Sequence, residues 1–246
     1  MEIIDVHAHF GVWNFPIPGC GTVDNLLRLC DRFNIRWALA SSTEALTYDM
    51  QRGNAVIADA FTDTDRLLAY VYCNPNFPEL SCQEMDAYLP LDHVVGVKLH
   101  PGYAGVPLSS DRWVPLLDEI ARRTGLVKIH TFSAADAQAM SAIADRYPHV
   151  NFIMGHACAG DSAHAAVAAR VHPNLYLDFC CSHALRGRVE TALETCGAGQ
   201  IVFGSDMDLL DPAFTMGMFE DADLSEVQRR AIFWGNAARL LGLEGA

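Results

Sequence analysis

No apolar run in this 246-residue sequence approaches the ~20 residues needed to cross a bilayer, so a transmembrane helix is excluded. Basic residues are scarce. Lys and Arg number 17 against 30 Asp and Glu, a net charge of −13, and such a surface repels phosphate backbones and anionic membranes. The eight cysteines (Cys20, Cys30, Cys73, Cys82, Cys158, Cys180, Cys181 and Cys196) contain no CxxC spacing. Reduced, mostly buried thiols are expected rather than a disulfide frame. No basic segment followed by an apolar stretch precedes the first strand-like residues, which predicts a soluble, cytoplasmic protein. Charged residues make up only 19% against 51% hydrophobic ones, a composition that argues against disorder and for a compact enzyme with a large core.

What is present is a strand-helix rhythm. Short β-branched or apolar runs, read as strands, cover Ile3 to His7, Trp37 to Ser41, Leu67 to Cys73, Val94 to His100, Leu126 to Thr131, Asn151 to His156, Asn174 to Cys180 and Ile201 to Ser205. Between them apolar residues recur at three- and four-residue steps, as in Val23 to Phe33, Trp113 to Arg123, Ala134 to Tyr147 and Ala184 to Cys196. No linker or composition shift divides the pattern, so residues 1–246 are read as one domain. Eight apolar strands flanked by amphipathic helices predict a parallel sheet closed into a (β/α)8 TIM barrel, for which about 250 residues is the usual length. An open doubly wound sheet competes, but the first strand runs into Gly11-Val12-Trp13-Asn14-Phe15-Pro16 and not into a glycine-rich phosphate loop.

Chemistry concentrates at the strand ends. His7 and His9 are two apart on the first strand, and residues i and i+2 of a strand share a face. A pair of imidazoles on one strand is half of a metal site, or else a surface pair that means nothing by itself. His130 ends the fifth strand, His156 the sixth, and Asp206 follows the eighth. In a barrel all these carboxyl ends gather at one mouth, so five groups suited to a divalent cation share one address. His93, His149, His164 and His172 fall in connections or helices and are read as surface residues; His183 could overlook the mouth or be structural.

These residues resemble those of the amidohydrolase superfamily, specifically the metal-dependent TIM-barrel hydrolases that also include decarboxylases related to aminocarboxymuconate semialdehyde decarboxylase. The similarity rests on His7-Ala8-His9, Gly96-Val97-Lys98-Leu99-His100-Pro101, His130, His156-Ala157-Cys158-Ala159-Gly160, Phe203-Gly204-Ser205-Asp206 and the closing Gly235-Asn236-Ala237-Ala238-Arg239-Leu240-Leu241-Gly242-Leu243, and spans essentially the whole chain. The resemblance implies that His7, His9, His130 and Asp206 ligate a catalytic metal, zinc by preference and manganese as the other option. His156 would then orient or deprotonate a water, or hold a second ion. One ion is the expectation, and two are compatible with the pattern. Asp206 would accept the proton of a metal-activated water.

Two lysines complicate the interior. Lys98 stands two before His100 and Lys128 two before His130. By resemblance a strand-four lysine can be carboxylated and bridge two metals; the plainer expectation is an ammonium paired with Asp5 or Asp178, or poised for a substrate carboxylate. Asp208 and Asp211 are read as solvated or helix-capping, and Trp13, Phe15 and Pro16 as pocket-lining. The expected activity is hydrolysis of an ester, lactone or amide of a small, carboxylated molecule; the alternative is non-oxidative decarboxylation with the same ion. A silent metal-binding scaffold is disfavoured, because His156 and Asp206 are groups that move protons. The partner is then a small-molecule substrate, not nucleic acid or membrane, with self-association left open.

Overall fold

A computed structural model of the chain describes residues 1–183 and 185–243. Eight parallel strands form one sheet in sequence order: β1 (Ile3–Phe10), β2 (Ile35–Ser42), β3 (Leu67–Tyr72), β4 (Val94–Leu99), β5 (Leu126–His130), β6 (Asn151–Gly155), β7 (Leu175–Asp178) and β8 (Ile201–Val202). The predicted barrel is the observed one. Its helices cover the outside, among them Val23–Phe33, Val114–Ala121 and Ala134–Arg146. The helix expected from Ala184 begins at Arg188 and ends at Thr195, and Ala184 itself lies outside the described residues.

The strands differ from expectation where the barrel closes. β8 keeps regular pairing for two residues only, because the chain beyond it bonds to β1 instead. Val6 N donates to Phe203 O at 2.9 Å, Asp206 N to His7 O at 2.7 Å and His9 N to Met207 O at 2.5 Å. β1 is correspondingly longer than predicted, reaching Phe10. It also carries a bulge: Asp5 pairs with Ala38 and Ala8 with Ala40, so one residue of β1 is supernumerary. Bulges re-aim side chains, and this one has a visible effect. Ile4 and Val6 pack in the barrel interior with Leu39, Tyr70, Ile153 and Val202, whereas Ala8 and Phe10 pack outward with the helices. The bulge thus turns His7 and His9 inward where uninterrupted alternation from Val6 would send them out.

Above that apolar layer the interior becomes polar. Lys98 and Lys128 are register neighbours on β4 and β5, and both are wholly buried with Asp178 of β7 and His7 of β1. Gly204 permits this crowding: a Cβ there would lie 2.6 Å from Asp178 Oδ1 and 2.8 Å from His7 Cβ. Gly204→Ala is therefore expected to lower stability by about 1–3 kcal/mol through overpacking. Urea unfolding of the two proteins checks this, and an unchanged midpoint would show that the contact is slack.

Candidate metal centre and pocket

His7 is fixed by its hydrogen bonds before any ligand is considered. Its Nδ1 lies 2.6 Å from Asp178 Oδ2. A carboxylate accepts, so Nδ1 carries the ring proton and Nε2 is left with a lone pair. Burial, then the charges of Lys128 and Lys98, hold His7 well below the usual imidazole range, so the ring stays neutral. Asp178 also accepts from Lys128 Nζ and from the Cys180 amide at 2.9 Å. Burial works to raise the Asp178 carboxyl, but Lys128 and His7 hold it well below the usual carboxylate range.

The free Nε2 of His7 faces Asp206 Oδ1 at 3.5 Å, and His9 Nε2 reaches the same oxygen at 2.9 Å. Neither contact has hydrogen-bond geometry: Asp206 Oδ1 is buried without a donor among the described residues. A lone pair and an anionic oxygen buried face to face call for a positive charge between them. Candidate ligand atoms of His7, His9 and Asp206 all lie within 4.8 Å of one another. Two imidazoles and a carboxylate are a donor set for zinc or manganese, so these residues fit a divalent cation. A second grouping, His7, His156 and Cys180, meets the same distance limit. There the ring nitrogens near the thiol are already bonded to Asp178 and to Cys180 O, and nothing is left unpaired.

His130, expected as a fourth ligand, is not within this group. Its Nδ1 lies 3.0 Å from His156 Nε2. His156 Nδ1 is 2.7 Å from Cys180 O, and a carbonyl oxygen only accepts, so the ring proton sits on Nδ1 and Nε2 is the proton-accepting atom. Burial lowers the His156 imidazole and holds His130 well below its usual range. The five strand-end groups do share one mouth: candidate ligand atoms of His7, His9 and Asp206 converge, and His130 and His156 are in contact beside them.

The backbone under His156 is strained. His156, Ala157, Cys158 and Ala159 have φ of +68°, +43°, +59° and +48°, a run that L residues avoid, and Asp206 has +64°. Buried Arg188, which sequence reasoning missed, holds the run through Nη2 to His156 O at 2.8 Å. Strain of about 1–3 kcal/mol per residue persists only where surroundings over-determine it, and such positions cluster at functional sites.

Of the two lysines, one or both of which were expected to neutralise Asp5 and Asp178, it is Lys128 that pairs with Asp178, while Asp5 accepts from Ser205 and from the His7 and Ser205 amides. Lys98 Nζ faces His7 Nε2 at 3.3 Å, and burial, reinforced by Lys128, lowers its ammonium to about 7. A cation and Lys98 compete for the same lone pair. Asp208 is not solvated: it is buried and accepts from Gly21 N at 2.8 Å and Asn25 Nδ2 at 3.2 Å, tying the loop after β1 to the loop after β8. Asp211 caps the helix Pro212–Asp221, as expected.

A cavity of about 310 Å³ opens over these groups, lined by Trp13 and Phe15 as predicted and by Lys98, His100, Tyr103 and Phe132. Trp13 packs edge-on to His9 at 4.9 Å and stacks on Phe15 at 5.8 Å; Phe132 stacks on His130 at 5.4 Å. The volume is that of a small-ligand site with apolar walls and a few polar groups. His183 meets Phe132 at the rim, 5.6 Å between ring centres.

The sequence profile of the Amidohydrolase family matches residues 4–243. A comparison with curated proteins finds no match. Among solved structures, 2,6-dihydroxybenzoate decarboxylase in complex with 2,6-dihydroxybenzoate superposes with a TM-score of 0.80 at 17% identity over 99% of each chain. Dihydroxybenzoic acid decarboxylase from Polaromonas sp., with bound manganese and the inhibitor 2-nitroresorcinol, gives 0.77 at 17% identity over 100% of this chain and 98% of the other. A putative 2-pyrone-4,6-dicarboxylic acid hydrolase from Pseudomonas putida gives 0.74 at 17% identity over 100% of this chain and 99% of the other. At these identities the likeness is one of fold.

Metal analysis after reconstitution with zinc or manganese should find about one ion per chain in the wild type and almost none in His7→Ala. Asp178→Asn should weaken binding by roughly 10–100-fold, because it loosens the bond that fixes the His7 tautomer. His156→Asn should keep its metal. Loss of metal in that variant would move His156 into the ligand set.

Proposed function

The chain belongs to the amidohydrolase family, and from that premise we propose that it is a metal-dependent, non-oxidative decarboxylase of a small aromatic carboxylic acid. The observation that carries this reading is the position of the His7, His9 and Asp206 corner under a cavity walled by Trp13, Phe15, Tyr103 and Phe132. A planar ring suits such walls. Two fold relatives whose names give aromatic-acid decarboxylation, one of them with bound manganese, support the same substrate class. Hydrolysis, the activity expected from the sequence, becomes the second reading; the relative named as a putative hydrolase of a carboxylated pyrone is what favours it.

A divalent cation at the corner would supply Lewis acidity toward the substrate's oxygens. The chain's own residues must manage a proton. When the bond between ring carbon and carboxylate breaks, its electron pair stays on the ring, the carbon takes up a proton and CO2 leaves. His156 Nε2, an acceptor fixed by the bond of Nδ1 to Cys180 O and occupied by His130 Nδ1, would carry a proton from solvent to the ring carbon once substrate opens that contact. Neutral His130 braces that ring through its 3.0 Å contact.

The test is a panel of hydroxybenzoates, carboxylated lactones and aryl esters given to metal-loaded protein, with CO2 and ring-opening followed together. CO2 release from a hydroxybenzoate that a chelator abolishes and added metal restores is the expected result, and His156→Asn should lower turnover about 10²-fold with its metal retained. Lactone opening without CO2 would make the hydrolytic reading the right one.

A further inference from the structure

His100 directly follows β4 and was legible in the sequence only as part of a motif. Its Nδ1 accepts the backbone N–H of Tyr103 at 3.2 Å. An amide can only donate, so Nδ1 holds a lone pair and the ring proton of the neutral imidazole is on Nε2. The ring cannot easily turn away from this arrangement. One face stacks on His130, with centres 3.9 Å apart and planes at 19°, and the Tyr103 ring lies 4.4 Å away. Among the described residues no side chain or carbonyl accepts from Nε2, and His100 lines the cavity. Of the nearby donors, Lys98 Nζ contacts His7 and His156 has both ring nitrogens in contact, whereas Trp13 Nε1 is, like His100 Nε2, without a partner among the described residues.

We propose that His100 is a specificity-determining residue, whose Nε2–H donates to an anionic oxygen, carboxylate or phenolate, of the aromatic acid bound in the cavity. This rests on the reading of the cavity as an aromatic-acid site and adds the group that recognises the acid's oxygen. A donor held by a backbone bond and a stacked ring is pre-organised, so little freedom is lost when the ligand arrives. It also discriminates. A ring lacking the oxygen would leave the N–H unpaired, which a polar site rejects far more strongly than an apolar pocket rejects a missing methylene.

Two substitutions separate the two ring nitrogens. His100→Asn places an acceptor near Nδ1, preserving the cap on Tyr103 N, and removes the Nε2 donor; His100→Gln carries an amide N–H toward the Nε2 position and gives up the cap. Calorimetric titration of manganese-loaded protein with 2,6-dihydroxybenzoate and 2-nitroresorcinol should show binding to the wild type weakened roughly 10–100-fold in His100→Asn, partly recovered in His100→Gln, with metal content unchanged. Equal binding by wild type and His100→Asn would overturn the inference and leave the aromatic-acid reading standing. No binding of either probe by the wild type would overturn both. The tautomer is checked without a ligand: ¹⁵N spectra of the histidines at neutral pH should show His100 protonated at Nε2, and a proton on Nδ1 would overturn the inference whatever the probes do.

Discussion

The carboxylate of Asp178 has no access to water, and it accepts from Lys128 Nζ, from His7 Nδ1 at 2.6 Å and from the Cys180 amide at 2.9 Å. Each bond has a consequence at the mouth. The lysine neutralises a charge that would otherwise be untenable in the barrel, and removing one partner of such a pair typically costs about 3–5 kcal/mol. The imidazole bond selects the tautomer that turns a lone pair on Nε2 toward Asp206. The amide bond holds the end of β7, where Cys180 O then fixes the tautomer of His156. One buried anion therefore orients both the corner proposed to hold a metal and the histidine proposed to handle the proton.

Strain complements this anchoring. His156 and Asp206, the two residues expected to do chemistry, both have positive φ, and both are held by bonds from elsewhere: His156 O by Arg188, Asp206 N by His7 O. Asp206 belongs to the segment that replaces a regular eighth strand and closes the barrel on β1. Closure of the fold and presentation of the carboxylate are thus one structural event, which is why Gly204, immediately before Ser205, has no room for a side chain.

The sequence carried the barrel and the addresses of His7, His9, His130, His156 and Asp206, because a continuous apolar run followed by a polar residue marks a strand end without knowledge of its neighbours. What it could not carry depended on neighbours. The bulge in β1 is visible only against the register of β2, and without it the HxH pair points the wrong way. Lys98 and Lys128 occupy equivalent places in their motifs, and only the distance to β7 decides that Lys128 takes Asp178. Strand position does not reveal which rings meet at the mouth either; in the fold His130 meets His156 and His100. Arg188 gave no signal at all, lying in the first turn of a helix while its contact is the carbonyl of His156, just past the end of β6.

The central claim is that the His7, His9 and Asp206 corner exists to hold a divalent cation. Anomalous diffraction from crystals of manganese-reconstituted protein, collected above and below the manganese edge, tests it most directly. The account predicts a strong peak within bonding distance of His7 Nε2, His9 Nε2 and an Asp206 oxygen. A peak elsewhere, or none in crystals whose His7 and Asp206 are ordered, would contradict it.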